Sequence, residues 1–67
     1  MNNTFFEENY SLAKKNFEKK NYKEAEERLL KCLDFKDSFS VLNLLGIVYI
    51  ELKEYKNAVK IFKKLIY

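Results

Sequence analysis

Leu42-Asn43-Leu44-Leu45-Gly46-Ile47-Val48-Tyr49-Ile50 is the most apolar run in a chain of 67 residues, and it holds the one glycine. Wound as a helix, Leu42, Leu45, Gly46 and Tyr49 share a face at i, i+3, i+4, i+7 spacing. Leu44, Ile47 and Ile50 fall on a different face. A helix that is apolar on two sides needs cover on both, or it presents one side to a partner. Glycine inside a helix costs about 1 kcal/mol relative to alanine. Gly46 therefore predicts the close approach of a second helix.

Working outward, Thr4-Phe5-Phe6-Glu7 has the pattern of a capping box. It opens a helix expected to run to about Lys20, with Phe6, Tyr10, Ala13 and Phe17 as its stripe. Asn9 and Asn16 interrupt the apolar side, and Leu12 sits off the stripe. Asn21 is the expected break and cap. A second helix, about Tyr22 to Asp34, places Tyr22, Ala25, Leu29, Cys32 and Leu33 on one face and Lys23, Glu24, Glu27, Arg28 and Lys31 on the other. The pairs Glu24–Arg28 and Glu27–Lys31 have the favourable i, i+4 order, about 0.2–0.5 kcal/mol each. Asp37 or Ser38 can cap the third helix, about Ser38 to Leu52. After a short turn at Lys53-Glu54, a fourth helix starts near Tyr55. Its apolar face is Tyr55, Ala58, Val59, Phe62, Leu65 and Ile66; Lys56, Lys60, Lys63 and Lys64 form the opposite face without an acid among them.

Composition bounds the rest. A chain this short forms one domain and buries only about 60% of its unfolded surface. One cysteine excludes an internal disulfide, and the lack of histidine removes the usual zinc ligands. Proline is absent and glycine occurs once, which favours helix throughout. The net charge of +3 and a pI near 9.0 are mildly basic, without the dense basic stripe of a nucleic-acid binder. Met1-Asn2-Asn3-Thr4 does not open a signal peptide. No apolar run reaches the roughly 18 residues of a membrane span. An unpaired cysteine fits a reducing, cytoplasmic setting. With no histidine, no Gly-rich phosphate loop and no serine beside a plausible base, neither catalysis nor a cofactor is expected. Cys32 reads as a small packed hydrophobe.

The two halves of the chain repeat. Leu12 and Leu45 are 33 residues apart, as are Phe6 and Phe39, Glu18 and Glu51, Lys20 and Lys53, Tyr22 and Tyr55, and Ala25 and Ala58. One offset aligns the first helix with the third and the second with the fourth. A helix pair repeating at this period signals a stacked solenoid. The expected fold is all-α: an α-α superhelix of two antiparallel helix-turn-helix repeats, about 4–36 and 37–67.

The second unit reads Leu42-x-x-Leu45-Gly46-x-x-Tyr49, then Tyr55-x-x-Ala58-x-x-x-Phe62. This resembles the tetratricopeptide repeat. The first unit is a weaker copy, Asn9-x-x-Leu12-Ala13-x-x-Asn16 then Tyr22-x-x-Ala25-x-x-x-Leu29, with Asn9 and Asn16 at positions usually large and apolar. Asp37 stands where the family usually has a boundary proline, and the turns lack the common glycine. The resemblance implies a curved array lined on its inside by the first helix of each pair, binding a peptide or helix of a partner protein. The matching positions include Tyr10, Lys14, Phe17, Asn43, Leu44, Ile47 and Ile50. Some family members clamp a partner's terminal carboxylate. Of Tyr10, Lys14 and Leu44 at the matching places, Lys14 alone agrees, so the resemblance does not extend to that activity. In longer members a further helix covers the apolar face of the fourth helix. Here some of Val59, Ile61, Leu65, Ile66 and Tyr67 are expected to be exposed. They offer the alternative function: self-association, one route to which is a helix-swapped dimer in which the second and third helices fuse. A nucleic-acid or membrane-surface partner is not expected, since the lysines are offset by acids and complement a helix C-terminus.

Overall fold

Helix-favouring stretches separated by short polar junctions give four α-helices in the computed structural model, which describes residues 4–66. They are α1 (Thr4–Glu18), α2 (Tyr22–Phe35), α3 (Phe39–Glu51) and α4 (Tyr55–Ile66), with no strand among the described residues. α1 packs against α2, α3 against α4, and α2 against α3 joins the two hairpins. This is the all-α helical-hairpin repeat that the 33-residue periodicity predicts.

The tight turns of the two hairpins are the same turn. Lys20 and Lys53 adopt left-handed backbone, with φ of 66° and 63°. In the first turn Lys20 N donates to Phe17 O at 3.0 Å and Asn21 N to Asn16 O at 2.8 Å. In the second, Lys53 N donates to Ile50 O at 2.9 Å and Glu54 N to Tyr49 O at 2.8 Å. Each pair of bonds is a Schellman closure, which satisfies the last carbonyls of the helix. α1 thus ends at Glu18, not Lys20, because Lys20 has left the helix. Asn21 occupies the N-cap of α2 but makes no capping bond with its side chain. That side chain donates instead to Asn16 Oδ1 at 3.4 Å. The junction between the hairpins differs: Lys36 and Ser38 are extended, and the Ser38 hydroxyl accepts from Val41 N at 3.5 Å to cap α3. The chain turns here, so α2 and α3 are separate helices, not the fused rod considered for a swapped dimer. The Thr4–Glu7 box lies at the edge of the described residues, with Thr4 already helical.

Gly46 does mark a close approach. A Cβ at this position would lie 2.5 Å from Cζ and 2.6 Å from Cε1 of Phe62. The tip of the Phe62 ring therefore rests on the bare backbone of α3. Val41 and Val48, which sequence periodicity did not assign to a face, lie on the side of α3 opposite Gly46 and are fully buried towards the first hairpin. α3 is thus sandwiched. The central position explains an unequal pair: Leu45 is 0% exposed, whereas its counterpart Leu12 on the outer helix α1 is 39% exposed.

The charged residues of α2 divide. Arg28 forms the expected pair with Glu24, its Nε donating at 3.0 Å, and its Nη1 also donates to Oδ1 of buried Asn9 at 3.2 Å. Asn9 in turn donates to Phe5 O at 2.9 Å, so this interruption of the apolar stripe is a fully bonded buried amide. Glu27 and Lys31 form no ion pair; Lys23 with Glu26, at 3.1 Å, does. Tyr55, placed by its spacing on the apolar face of the fourth helix, is mostly exposed, because no helix packs on its side of α4 among the described residues.

Two outcomes follow from this geometry. Left-handed backbone costs a side-chain-bearing residue about 1–2 kcal/mol, which glycine's larger folding entropy partly offsets. Lys20→Gly and Lys53→Gly should each stabilise the fold by roughly 0.5–1 kcal/mol in urea denaturation; a lowered midpoint would contradict the turn assignment. Gly46→Ala should gain about 1 kcal/mol of helix propensity yet lose more by displacing Phe62, since overpacking costs about 1–3 kcal/mol. In a Phe62→Ala background the same substitution should become stabilising. An unchanged effect in the two backgrounds would mean the ring and the glycine do not interact.

Candidate functional site

The inner sides of α1 and α3 meet in a groove of about 440 Å³. α1 contributes Tyr10, Lys14, Phe17 and Glu18; α3 contributes Phe39, Ser40, Asn43 and Leu44. Helical spacing brings each set to one face. Tyr10, Phe17 and Leu44 are half-buried and form the apolar floor, while Lys14, Glu18, Ser40 and Asn43 are exposed on its rim. The floor is backed by rings. Phe17 lies 5.7 Å from Tyr22, edge to face, and Tyr10 lies 6.4 Å from Phe6, which itself lies 6.3 Å from Phe35. Lys14 holds its ammonium 4.8 Å from the Tyr10 ring centroid, within cation–π range.

Of the residues expected on the inner face, Tyr10, Lys14, Phe17, Asn43 and Leu44 come together here. Ile47 and Ile50 lie one and two turns further along α3, half-buried and exposed, outside the groove lining. Sequence reading did not select Phe39. It is 72% exposed at the groove mouth. Its signal was the 33-residue correspondence with Phe6, whose ring is packed. Phe39 lacks that packing because Asn43 replaces the neighbour Tyr10.

No family model, curated protein or solved structure matches the chain. The repeat is therefore read from the chain's own two halves.

On α4, Val59 is 51% and Ile66 76% exposed, whereas Ile61 and Leu65 are half-buried. Tyr67 lies outside the described residues. A second concavity, of about 520 Å³, opens between the start of α3 and the end of α4, lined by Asp37, Ser38, Phe39, Leu42, Lys64 and Leu65.

The chemistry of the remaining groups is quiet. Cys32 is fully buried, its Sγ 3.5 Å from Phe6 O, and burial pushes its thiol pKa up, away from thiolate formation. Among the described residues no three acidic, cysteine or histidine side chains cluster as a metal site would need. No helix among them is long and apolar enough to cross a membrane. Glu26 of α2 raises the pKa of Lys23 through their hydrogen bond, and also stands beside the Tyr49 hydroxyl of α3. Burial first, and the Glu26 carboxylate second, push Tyr49 up to about 12.

The sign of that shift sets a pH window. A tyrosine whose folded pKa lies above its unfolded value of about 10 contributes stability fully present below pH 10. That contribution is lost as the pH rises through 12. Wild-type protein should therefore lose on the order of 2–3 kcal/mol over this window relative to Tyr49→Phe. Tyrosinate absorbance should show a component titrating near 12 that the variant lacks. Identical alkaline unfolding of the two proteins would rule out the coupling.

Proposed function

We propose that this chain is a tetratricopeptide-like scaffold that binds a peptide or helix of a partner protein in the groove between α1 and α3. The observation that carries this reading is the convergence of Tyr10, Phe17 and Leu44 into one apolar floor beneath the polar rim of Lys14, Glu18 and Asn43. Concave, mostly apolar surfaces with a few placed polar groups are the usual form of recognition sites. The exposed Phe39 ring at the mouth is an aromatic anchor of the type that dominates interface energetics. Acids on α1 and α2 stand among the lysines, which favours a protein over nucleic acid or lipid. The unpaired Cys32 supports residence in a reducing compartment such as the cytoplasm.

A second reading, assembly with like chains, rests on the exposed Val59 and Ile66. The four lysines of α4 oppose it.

The test is selection of peptides from a displayed library against the full chain, followed by fluorescence anisotropy. Asn43 is exposed on the rim, so Asn43→Arg should leave the circular dichroism unchanged while weakening the selected peptides by roughly tenfold or more, with Phe39→Ala acting in the same direction. Selected peptides that bind both variants as tightly as wild type would sink the groove reading.

A further inference from the structure

The two hairpins present equivalent faces, and one of them is covered while the other is open. On the first hairpin Ala25, Leu29 and Cys32 are fully buried and Leu33 half-buried, with α3 packed against α2. Their counterparts 33 residues on are Ala58, Phe62, Leu65 and Ile66. Phe62 and Leu65 are only half-buried, and Ile66 is 76% exposed. Val59 replaces Glu26 in this set, so the open face is the more apolar of the two. What covers the first face is a helix with an apolar row: α3 packs against α2, and its Val41, Leu45 and Val48, at i, i+4, i+7, are fully buried, with Leu52 next in that row.

A second copy does not supply such a helix. The corresponding row of α1 is Glu8, Leu12, Lys15 and Lys19, charged at three of four places, so copies do not stack head to tail. A two-fold pairing of α4 with α4 brings Lys56, Lys60, Lys63 and Lys64 of each chain together, with no acid in either helix. Lys56 and Lys63, read from the sequence as part of the face opposite the apolar one, in fact border Val59, three residues before it and four after. None of the four lysines is in an ion pair among the described residues.

We propose that the open α3–α4 face docks an amphipathic helix of a different protein, one whose apolar stripe is flanked by acidic residues. The stripe takes the place that Val41, Leu45 and Val48 of α3 hold on the first hairpin. The acids pair with Lys56 and Lys63 along the Val59–Ile66 edge. This surface is separate from the α1–α3 groove.

The probes are two synthetic helices of about 18 residues with the same Val/Leu stripe, one flanked by glutamate and one by lysine. They are titrated against the full chain by fluorescence anisotropy. The glutamate-flanked helix should bind roughly tenfold tighter than the lysine-flanked one at low salt, with the advantage shrinking near 0.5 M salt. Val59→Glu combined with Ile66→Glu should abolish its binding with circular dichroism unchanged, since both side chains are exposed. Asn43→Arg should leave it intact, which separates this surface from the groove. Equal affinity for the two helices, or binding indifferent to Val59→Glu, overturns the proposal. So does a dimer of the chain that Val59→Glu dissociates, which makes the occupant a second copy. Binding to phosphatidylserine vesicles without binding to either helix overturns it in favour of a lipid surface.

Discussion

Phe62 can lie on α3 because residue 46 has no side chain. The rest of the fold depends on this contact. It brings α4 close enough to bury Ala58 and to cover one side of the most apolar helix in the molecule. The opposite side of α3 faces the first hairpin through Val41 and Val48. A helix this apolar would be a liability in water if either cover were missing. The glycine is costly to helix propensity and necessary to packing, and at this position packing prevails.

The two hairpins share a skeleton and differ in how completely it is clothed. Their turns use the same hydrogen bonds at the same offset, down to Ala25 N donating to Asn21 O and Ala58 N to Glu54 O. Lysine occupies the left-handed position in both, a local strain held in place by two Schellman bonds each time. The difference lies in position. α3 has neighbours on two sides, whereas α1 and α4 each have one principal neighbour. Side chains at equivalent places therefore meet different solvents.

Much of this was legible in the sequence. The 33-residue correspondence, the single glycine and the Leu-Gly pair together specify four helices and their pairing. The resemblance to the tetratricopeptide repeat pointed to Tyr10, Lys14, Phe17, Asn43 and Leu44, which the groove brings together, and to Ile47 and Ile50, which lie outside its lining. Periodicity misjudged what depends on the neighbouring helix. Val41 and Val48 look unremarkable within a helix that is apolar nearly all round. Asn9 looks like a defect until Arg28, nineteen residues later, reaches across to it. Tyr55 and Phe39 resemble their packed counterparts in sequence, but the rings beside Tyr22 and Phe6, those of Phe17 and Tyr10, are replaced by Ile50 and Asn43 in the second copy.

The Asn9–Arg28 bond, in which Asn9 is buried and Arg28 partly so, has a consequence for a chain that contains nearly the same hairpin twice. The corresponding positions in the second hairpin are Leu42 and Ile61, so a polar couple in one copy is an apolar couple in the other. Crossing them, α1 with α4 or α2 with α3 in the hairpin register, would set an amide against isoleucine and a guanidinium against leucine. A buried polar group stripped of its partner costs about 1–3 kcal/mol, and a charged one more. The bond therefore works as a lock and key between otherwise interchangeable parts, keeping each helix with its own mate while the polypeptide finds its shape.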